Sequence, residues 1–238
     1  MRPLPLLLAV ALRLVLVAAP ASAQSLDEFG AWSALVRSPI GGVLSAPGVA
    51  ESATPRRALT INGGTWRFGP GDDETSNIAA TMQFPAGRIA VVLNGMYTSV
   101  KDCTDCGGYS IGGGVVYALS STPLGGENGA RLDIAIQPSA NFGTFVDGDV
   151  SVVTAALSVP VSLSVPLGPV TLRPFVTPGY GYGSLSADGE SYGGTRALLG
   201  YGIAVANRSG SLQVHIGTME VRLDEAPTVS AVGLTLRF

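Results

Sequence analysis

The chain has little charge and almost no lysine or histidine. Charged residues make up 13% of its 238 residues, and it contains one lysine, Lys101, and one histidine, His215. Hydrophobic residues make up 46%, yet beyond the N-terminus no run approaches the roughly 20 apolar residues that a transmembrane helix needs. Hydrophobicity without helical spans is typical of a barrel whose strands meet lipid with every second residue. The formal net charge of −3 does not indicate nucleic-acid binding.

The N-terminus has the three parts of a secretory signal. Arg2 supplies a positive charge, residues 6–17 form an apolar run that Arg13 interrupts, and Ala21-Ser22-Ala23 is a small-residue cleavage site. We therefore predict a cleaved signal peptide over residues 1–23. Its removal takes away two basic residues and no acid, so the mature chain is more acidic than the whole.

From residue 58 the sequence settles into segments of alternating residues, separated by clusters of Gly, Pro, Asp, Asn and Ser. This pattern predicts an all-β, up-and-down antiparallel transmembrane barrel over residues 58–238. The first two of its ten segments are the weakest, so eight strands is the alternative, and both counts are even. The predicted strands are 58–68, 77–84, 88–100, 109–121, 130–142, 151–165, 170–185, 195–206, 212–223 and 228–238.

The two faces of these segments differ as a membrane barrel requires. In the last segment, Val232 and the residues at 234, 236 and 238 are large and apolar, whereas those between them are small or polar. A soluble sandwich would alternate too, but its exposed face would carry lysine and glutamate. Three prolines within predicted strands indicate bulges or strand ends, because proline cannot donate to the ladder: Pro160, Pro174 and Pro178.

The last segment, TVSAVGLTLRF, resembles the closing strand of Gram-negative outer-membrane β-barrels, in which a terminal Phe is the assembly signal. Residues 170–183, VTLRPFVTPGYGYG, resemble a strand common to OmpA-like and OmpW-like porin-family domains. The resemblance implies an assembly signal formed by Leu234, Leu236 and Phe238. It also implies a monomer in the outer membrane of a Gram-negative bacterium, with membrane lipid, lipopolysaccharide and the barrel-assembly machinery as partners and no nucleic acid.

The resemblance fixes the two sides of the barrel, because a terminal Phe238 lies in the periplasm. The turns near 85–87, 122–129, 166–169 and 207–211 would then be periplasmic, and the longer, more acidic connections would face outward. Residues 24–57, rich in Pro, Gly and Ser, are expected to form a mobile leader or a short helix. A segment that plugs the lumen or contacts the periplasm is the alternative.

By the same alternation, a set of polar side chains faces the interior. Charged groups inside a barrel must pair or meet water. We expect a structural network that occludes the lumen, and the alternative is a narrow, Arg-lined pore that prefers anions. The predicted network comprises Arg88, Arg131, Asp133, Arg173, Arg196, His215 and Arg237, with Asn94 and Gln137 on the same face.

Neither the histidine nor the cysteines form a convincing catalytic or metal site. Lipid A deacylases carry a His-x-Ser pair, whereas here the sequence is His215-Ile216-Gly217. Cys103 and Cys106 form C-x-x-C in an outward connection, where the oxidising compartment favours a disulfide over half a zinc site. We therefore expect no cofactor, no metal and no enzymatic activity.

Two main functional readings remain. The first is an integral outer-membrane barrel with a structural, envelope-integrity or surface-interaction role. The second is the same barrel as a narrow passive channel for small solutes or ions, and the two differ in whether the lumen is open. A soluble secreted β-protein or a barrel enzyme is the third and weaker reading.

Overall fold

The computed structural model describes residues 55–67, 75–101, 107–124, 129–145, 149–221 and 228–238. The described residues form strands joined by turns, without a helix. The predicted signal peptide and residues 24–54 of the predicted leader lie outside the described residues. The strands are β1 Ala58–Arg67, β2 Thr75–Ala86, β3 Ile89–Val100, β4 Gly108–Pro123, β5 Arg131–Phe145, β6 Val150–Ser158, β7 Val161–Leu167, β8 Val170–Ala187, β9 Glu190–Asn207, β10 Leu212–Val221 and β11 Thr228–Arg237.

These strands form one antiparallel sheet that closes on itself. Strands that follow one another in the sequence pair, apart from β6 and β7, which each pair with β5 and β8. In addition, β1 pairs with β11, from Ala58 opposite Arg237 to Arg67 opposite Thr228. That pairing joins the beginning of the sheet to its end, so no edge of the sheet is left unpaired. The predicted closed, up-and-down barrel is confirmed.

Strands β6 and β7 occupy a single position in the wall. Both pair with β5 on one side and with β8 on the other, and the register is the same before and after Val159–Pro160. The barrel therefore has ten strand positions, which is the larger of the two strand counts that the sequence left open. Pro160 ends a strand, as its missing N–H predicts, but Pro174 and Pro178 stay inside β8. The prediction of bulges or strand ends at those two prolines was wrong.

The outside of the barrel is apolar. Side chains that alternate along every strand point outward, and many large ones have around half of their surface exposed, including Leu93 at 53% and Ile216 at 59%. Outward aromatic side chains lie towards both ends. Phe84, Tyr117 and Phe238 are nearer the short turns, while Tyr97, Tyr109, Tyr180 and Tyr182 are in the other half. Aromatic girdles of this kind flank the apolar band of membrane barrels.

The inside is polar or small, and it is packed. Inward-facing side chains are buried near the short turns, as in Gln213, Arg173 and His215. They are also buried in the half near the longer connections, as in Thr98 and Phe145. The hydrophobic and polar faces are thus inverted relative to a soluble protein.

No helix among the described residues is long and apolar enough to cross a membrane. The apolar outer surface would be unstable in water, because exposed apolar area of this extent is unfavourable there. A closed barrel can bury it in a bilayer, since all of its backbone groups pair between strands. Barrels of this type lie in the outer membrane of Gram-negative bacteria, so the predicted location agrees with the structure.

Candidate functional site

A cluster of polar side chains fills the lumen near the short turns. We call it the turn-end cluster, and it consists of Asn62 on β1, Arg173 on β8, Gln213 and His215 on β10, and Arg237 on β11. All five point inward because each occupies the lumen phase of its strand, and all five are buried. Strands β8, β10, β11 and β1 lie close together in the wall, so residues far apart in sequence meet here.

Two arginines share one acceptor in this cluster. Nη1 of Arg173 donates a 2.9 Å hydrogen bond to Oε1 of Gln213, and Nη2 of Arg237 donates a 3.1 Å bond to the same oxygen. Nη1 of Arg237 also donates to the carbonyl oxygen of Gly210, in the turn between β9 and β10, at 2.8 Å. Gln213 therefore ties β8 to β11 across the inner surface of the wall.

The side chains of Asn62 on β1 and His215 on β10 meet across the inner face of β11. Nε2 of His215 lies 2.8 Å from Oδ1 of Asn62, so the ring N–H donates to the amide oxygen. Gly233 of β11 is opposite Asn62 on one side and opposite His215 on the other. Its missing side chain leaves the space through which the two polar groups meet, because a Cβ at this position would overlap both of them.

A substitution of Gly233 tests the hydrogen bond between His215 and Asn62. Gly233→Ala is expected to push Asn62 and His215 apart and so to break the hydrogen bond between two buried side chains. We expect the unfolding free energy to fall by about 1 to 2 kcal/mol. The measurement is urea-induced unfolding in lipid vesicles. Gly63→Ala is the matched control, because the nearest atom to its added Cβ is 4.0 Å away. Equal stability of the two variants would contradict the role assigned to Gly233.

Arg131 and Asp133 form a separate pair on β5. Nε of Arg131 lies 3.0 Å from Oδ2 of Asp133, and Oγ of Ser121 donates to Oδ1 of the same carboxylate at 2.6 Å. Asp133 is fully buried, whereas the Arg131 side chain is 39% exposed. The carboxylate thus has a charged partner that remains in contact with water, and this lowers the cost of burying the acid.

The remaining predicted site residues lie elsewhere. Arg88 is exposed in the two-residue turn between β2 and β3, because β2 already ends at Ala86, so it does not line the lumen. Arg196 is half-buried in the other half of the lumen and donates to the carbonyl oxygen of Thr195. Leu234, Leu236 and Phe238 point outward from the end of β11. Cys103 and Cys106, the predicted disulfide, lie outside the described residues.

The importance of Asn62 and Gly233 was not apparent from the sequence. Both fall in the lumen phase of their strands, but alternation alone does not say which residues of β1, β10 and β11 stand side by side. The one sequence signal was Gly233 itself, because a glycine on the inward face of a strand often marks a close approach of neighbouring groups.

The turn-end cluster contains amide, imidazole and guanidinium groups. Nε2 of His215 is bonded to the amide oxygen of Asn62. Among the described residues, no three His, Cys, Asp or Glu side chains lie close enough together to hold a metal ion. The arrangement is suited to holding strands together and to attracting negative charge.

Comparisons with known proteins return only solved structures. No protein-family model matches the chain, and no curated protein does. The β domain of the Bordetella autotransporter BrkA matches with a TM-score of 0.43 and 12% identity, over 77% of this chain and 99% of that one.

Two further matches are similarly distant. The outer-membrane enzyme PagL matches with a TM-score of 0.39 and 8% identity, over 76% of this chain and 99% of that one. The attachment invasion protein Ail of Yersinia pestis matches with a TM-score of 0.34 and 12% identity, over 77% of this chain and 99% of that one. All of these TM-scores are below 0.5, so the assignment of a membrane barrel rests on the geometry of the barrel itself.

Proposed function

We propose that this outer-membrane barrel is a structural or surface-interaction protein whose lumen is occluded by its own side chains. The proposal rests on the burial of inward-facing residues in both halves of the lumen. Asp133, Gln213, Val116 and Ala204 in the half near the short turns and Phe145 in the opposite half each have at most 1% of their surface accessible to water. Residues that line an open pore would be wetted.

The shape of the barrel supports a role at the cell surface. Strands β8 and β9 have 18 residues each and stay paired from Val170–Asn207 to Ala187–Glu190. About 9 to 11 residues of a tilted strand cross a bilayer, so this hairpin continues beyond the membrane on the side away from the short turns. Its end is polar and held by side-chain bonds, including one from Tyr192 to Glu190 and one between Ser186 and Ser191.

Membrane lipid, lipopolysaccharide and the barrel-assembly machinery are the partners that this role requires. The outward apolar residues would contact lipid chains, and the end of β11, with Leu234, Leu236 and Phe238 exposed, offers the assembly machinery a continuous apolar surface. The role involves no catalysis, because it depends on packing, charge and the polar end of the β8–β9 hairpin.

Conductance across a planar bilayer tests the proposed function. Folded protein inserted into the bilayer is expected to leave the current at its baseline, while a general porin inserted in the same way produces steps. Folding is checked on the same sample by the difference in gel mobility between unboiled and boiled protein. Reproducible current steps from the folded barrel would overturn the occluded lumen and favour the narrow channel.

A further inference from the structure

Four exposed arginines lie at the end of the barrel that carries the short turns. Arg56 and Arg57 precede β1, Arg88 lies in the turn between β2 and β3, and Arg208 lies in the turn between β9 and β10. We call these four residues the basic rim. They occupy one side of the wall, because β1 pairs with β2 and with β11, and β11 pairs with β10. Nη1 of Arg56 donates to the carbonyl oxygen of Ser209, next to Arg208, at 3.3 Å.

No acidic side chain in the described part of the chain pairs with the basic rim. The described carboxylate in this half of the barrel, Asp133, is fully buried and belongs to the ion pair on β5. The exposed acids Asp149, Asp188 and Glu190 lie at the opposite end. The α-carboxylate of Phe238 can offset only one of the four positive charges. The short-turn end of the barrel is therefore a surface of positive potential.

The basic rim borders the lipid face directly. Arg88 precedes Ile89, which points outward and is exposed. The carbonyl oxygen of Arg57 accepts a 3.1 Å hydrogen bond from the backbone nitrogen of Phe238, whose side chain is exposed at the end of β11. The apolar stem of an arginine can lie along such residues while its guanidinium reaches the headgroups. The rim thus lies at the level of the phospholipid headgroups, at the end that the sequence places in the periplasm.

We infer that the basic rim binds anionic phospholipid headgroups in the leaflet at this end of the barrel. Guanidinium groups donate to phosphate oxygens with matched geometry, and each basic residue near an anionic membrane surface adds to the attraction. The exposed acids at the opposite end would repel the same headgroups. The inference rests on the proposed contact with membrane lipid and names the lipid, and it does not depend on whether the lumen is closed.

Spin-labelled lipids test this preference. The mature chain is folded into phosphatidylcholine vesicles that contain a trace of labelled phosphatidylglycerol or of labelled phosphatidylcholine, and the spectrum separates lipid held at the protein from bulk lipid. We expect the protein to hold phosphatidylglycerol about two to four times more strongly at low salt, as an average over all lipids around the barrel. The preference should disappear in about 1 M salt, because the Debye length falls to about 3 Å.

A pair of matched variants assigns the preference to the basic rim. The first carries Arg56→Gln, Arg57→Gln, Arg88→Gln and Arg208→Gln, and it is expected to hold the two lipids equally. The control carries lysine at the same four positions and should keep most of the preference, because the charge is retained. All four side chains are exposed, so neither variant alters the packed lumen, and gel mobility before and after boiling checks the folding of both.

The outcomes are distinct. A preference that is lost with glutamine and kept with lysine supports the inference. Equal binding of the two lipids by the unmodified chain, or the same preference in the glutamine variant, would overturn it and leave the contact with lipid intact. Failure of the unmodified chain to insert into phosphatidylcholine vesicles would contradict that contact as well.

Peptidoglycan is the other anionic surface at the periplasmic end, and sedimentation with purified sacculi tests it on the same variants. We expect no sedimentation that depends on the four arginines. If the unmodified chain shows no lipid preference but sediments with sacculi, and the glutamine variant does not, then the basic rim contacts the cell wall and the inference is overturned.

Discussion

Gly202→Ala is expected to destabilise the folded barrel by about 3 kcal/mol or more, the high end of the cost of overfilling a packed interior. Gly202 faces the lumen on β9, opposite Phe175 of β8 and Gly217 of β10. An added Cβ would overlap the carbonyl oxygen of Ile216, and it would lie 2.6 Å from Cα of Gly217 and 2.6 Å from the ring of Phe175. The backbone of β10 cannot rotate away as a side chain can, so the wall itself must move.

Urea unfolding in vesicles measures this effect. Gly95→Ala on β3 is the control, because its Cβ would meet the nearest atom at an ordinary 3.8 Å, and it should unfold close to the unmodified chain. Gly95 faces outward like Leu93 and Tyr97, so the comparison sets a methyl group with room around it against one that meets the backbone of β10 and the ring of Phe175. Similar midpoints for the two variants would therefore contradict the close packing around Gly202.

Ile216→Arg is expected to cost about 2 to 4 kcal/mol of folding free energy in a bilayer, the price of a charge near the middle of the lipid face. Ile216 lies midway along β10 and points outward with 59% of its surface exposed. Leu212→Arg is the matched control. Leu212 also points outward, but it begins the strand, where a charge reaches the headgroups and costs about 0 to 1 kcal/mol.

Comparing the costs of the two substitutions shows whether the outer face of the barrel contacts lipid or water. If the outer face were solvated, both substitutions would be nearly neutral, as surface changes usually are. Folding yield in vesicles as a function of urea gives both values in one series. Two small and equal effects would show that the apolar face is not in contact with lipid.

The strands were predictable because alternation is a local property. The segment predicted as 170–185 is β8, Val170–Ala187, and that predicted as 228–238 is β11, Thr228–Arg237. Lipid on one side and a narrow lumen on the other select residues of opposite character at every second position. The side each residue faces follows from this pattern, and the count of ten followed from the number of such segments.

The contacts within the lumen were not predictable in the same way. Asn62 and His215 are 153 positions apart in sequence, and their bond depends on how β1, β11 and β10 are staggered. Register is a property of the closed sheet, and alternation leaves it open by steps of two residues. The sequence placed His215 and Arg237 in the lumen, but it did not identify Asn62 as the partner of the histidine.

Departures from the pattern had local causes. Arg88 was assigned to the lumen by extending the alternation of β3 backwards, yet the hairpin reverses at Gly87–Arg88 and leaves this side chain exposed. Pro174 and Pro178 were expected to interrupt the strand, yet both lie inside β8. They stand opposite Ile203 and Leu199 of β9. An unexpected bulge lies between Ala118 and Ser120 of β4, at a position without proline.

The mobility of the protein on detergent gels shows whether it forms a closed barrel in the outer membrane. An outer-membrane fraction is divided, and one half is boiled before electrophoresis. We expect a band that migrates differently in the unboiled half, because a closed ring of ten paired strand positions resists detergent until it is heated. A single band of unchanged mobility, with the mature chain found soluble in the periplasm or the medium, would contradict it.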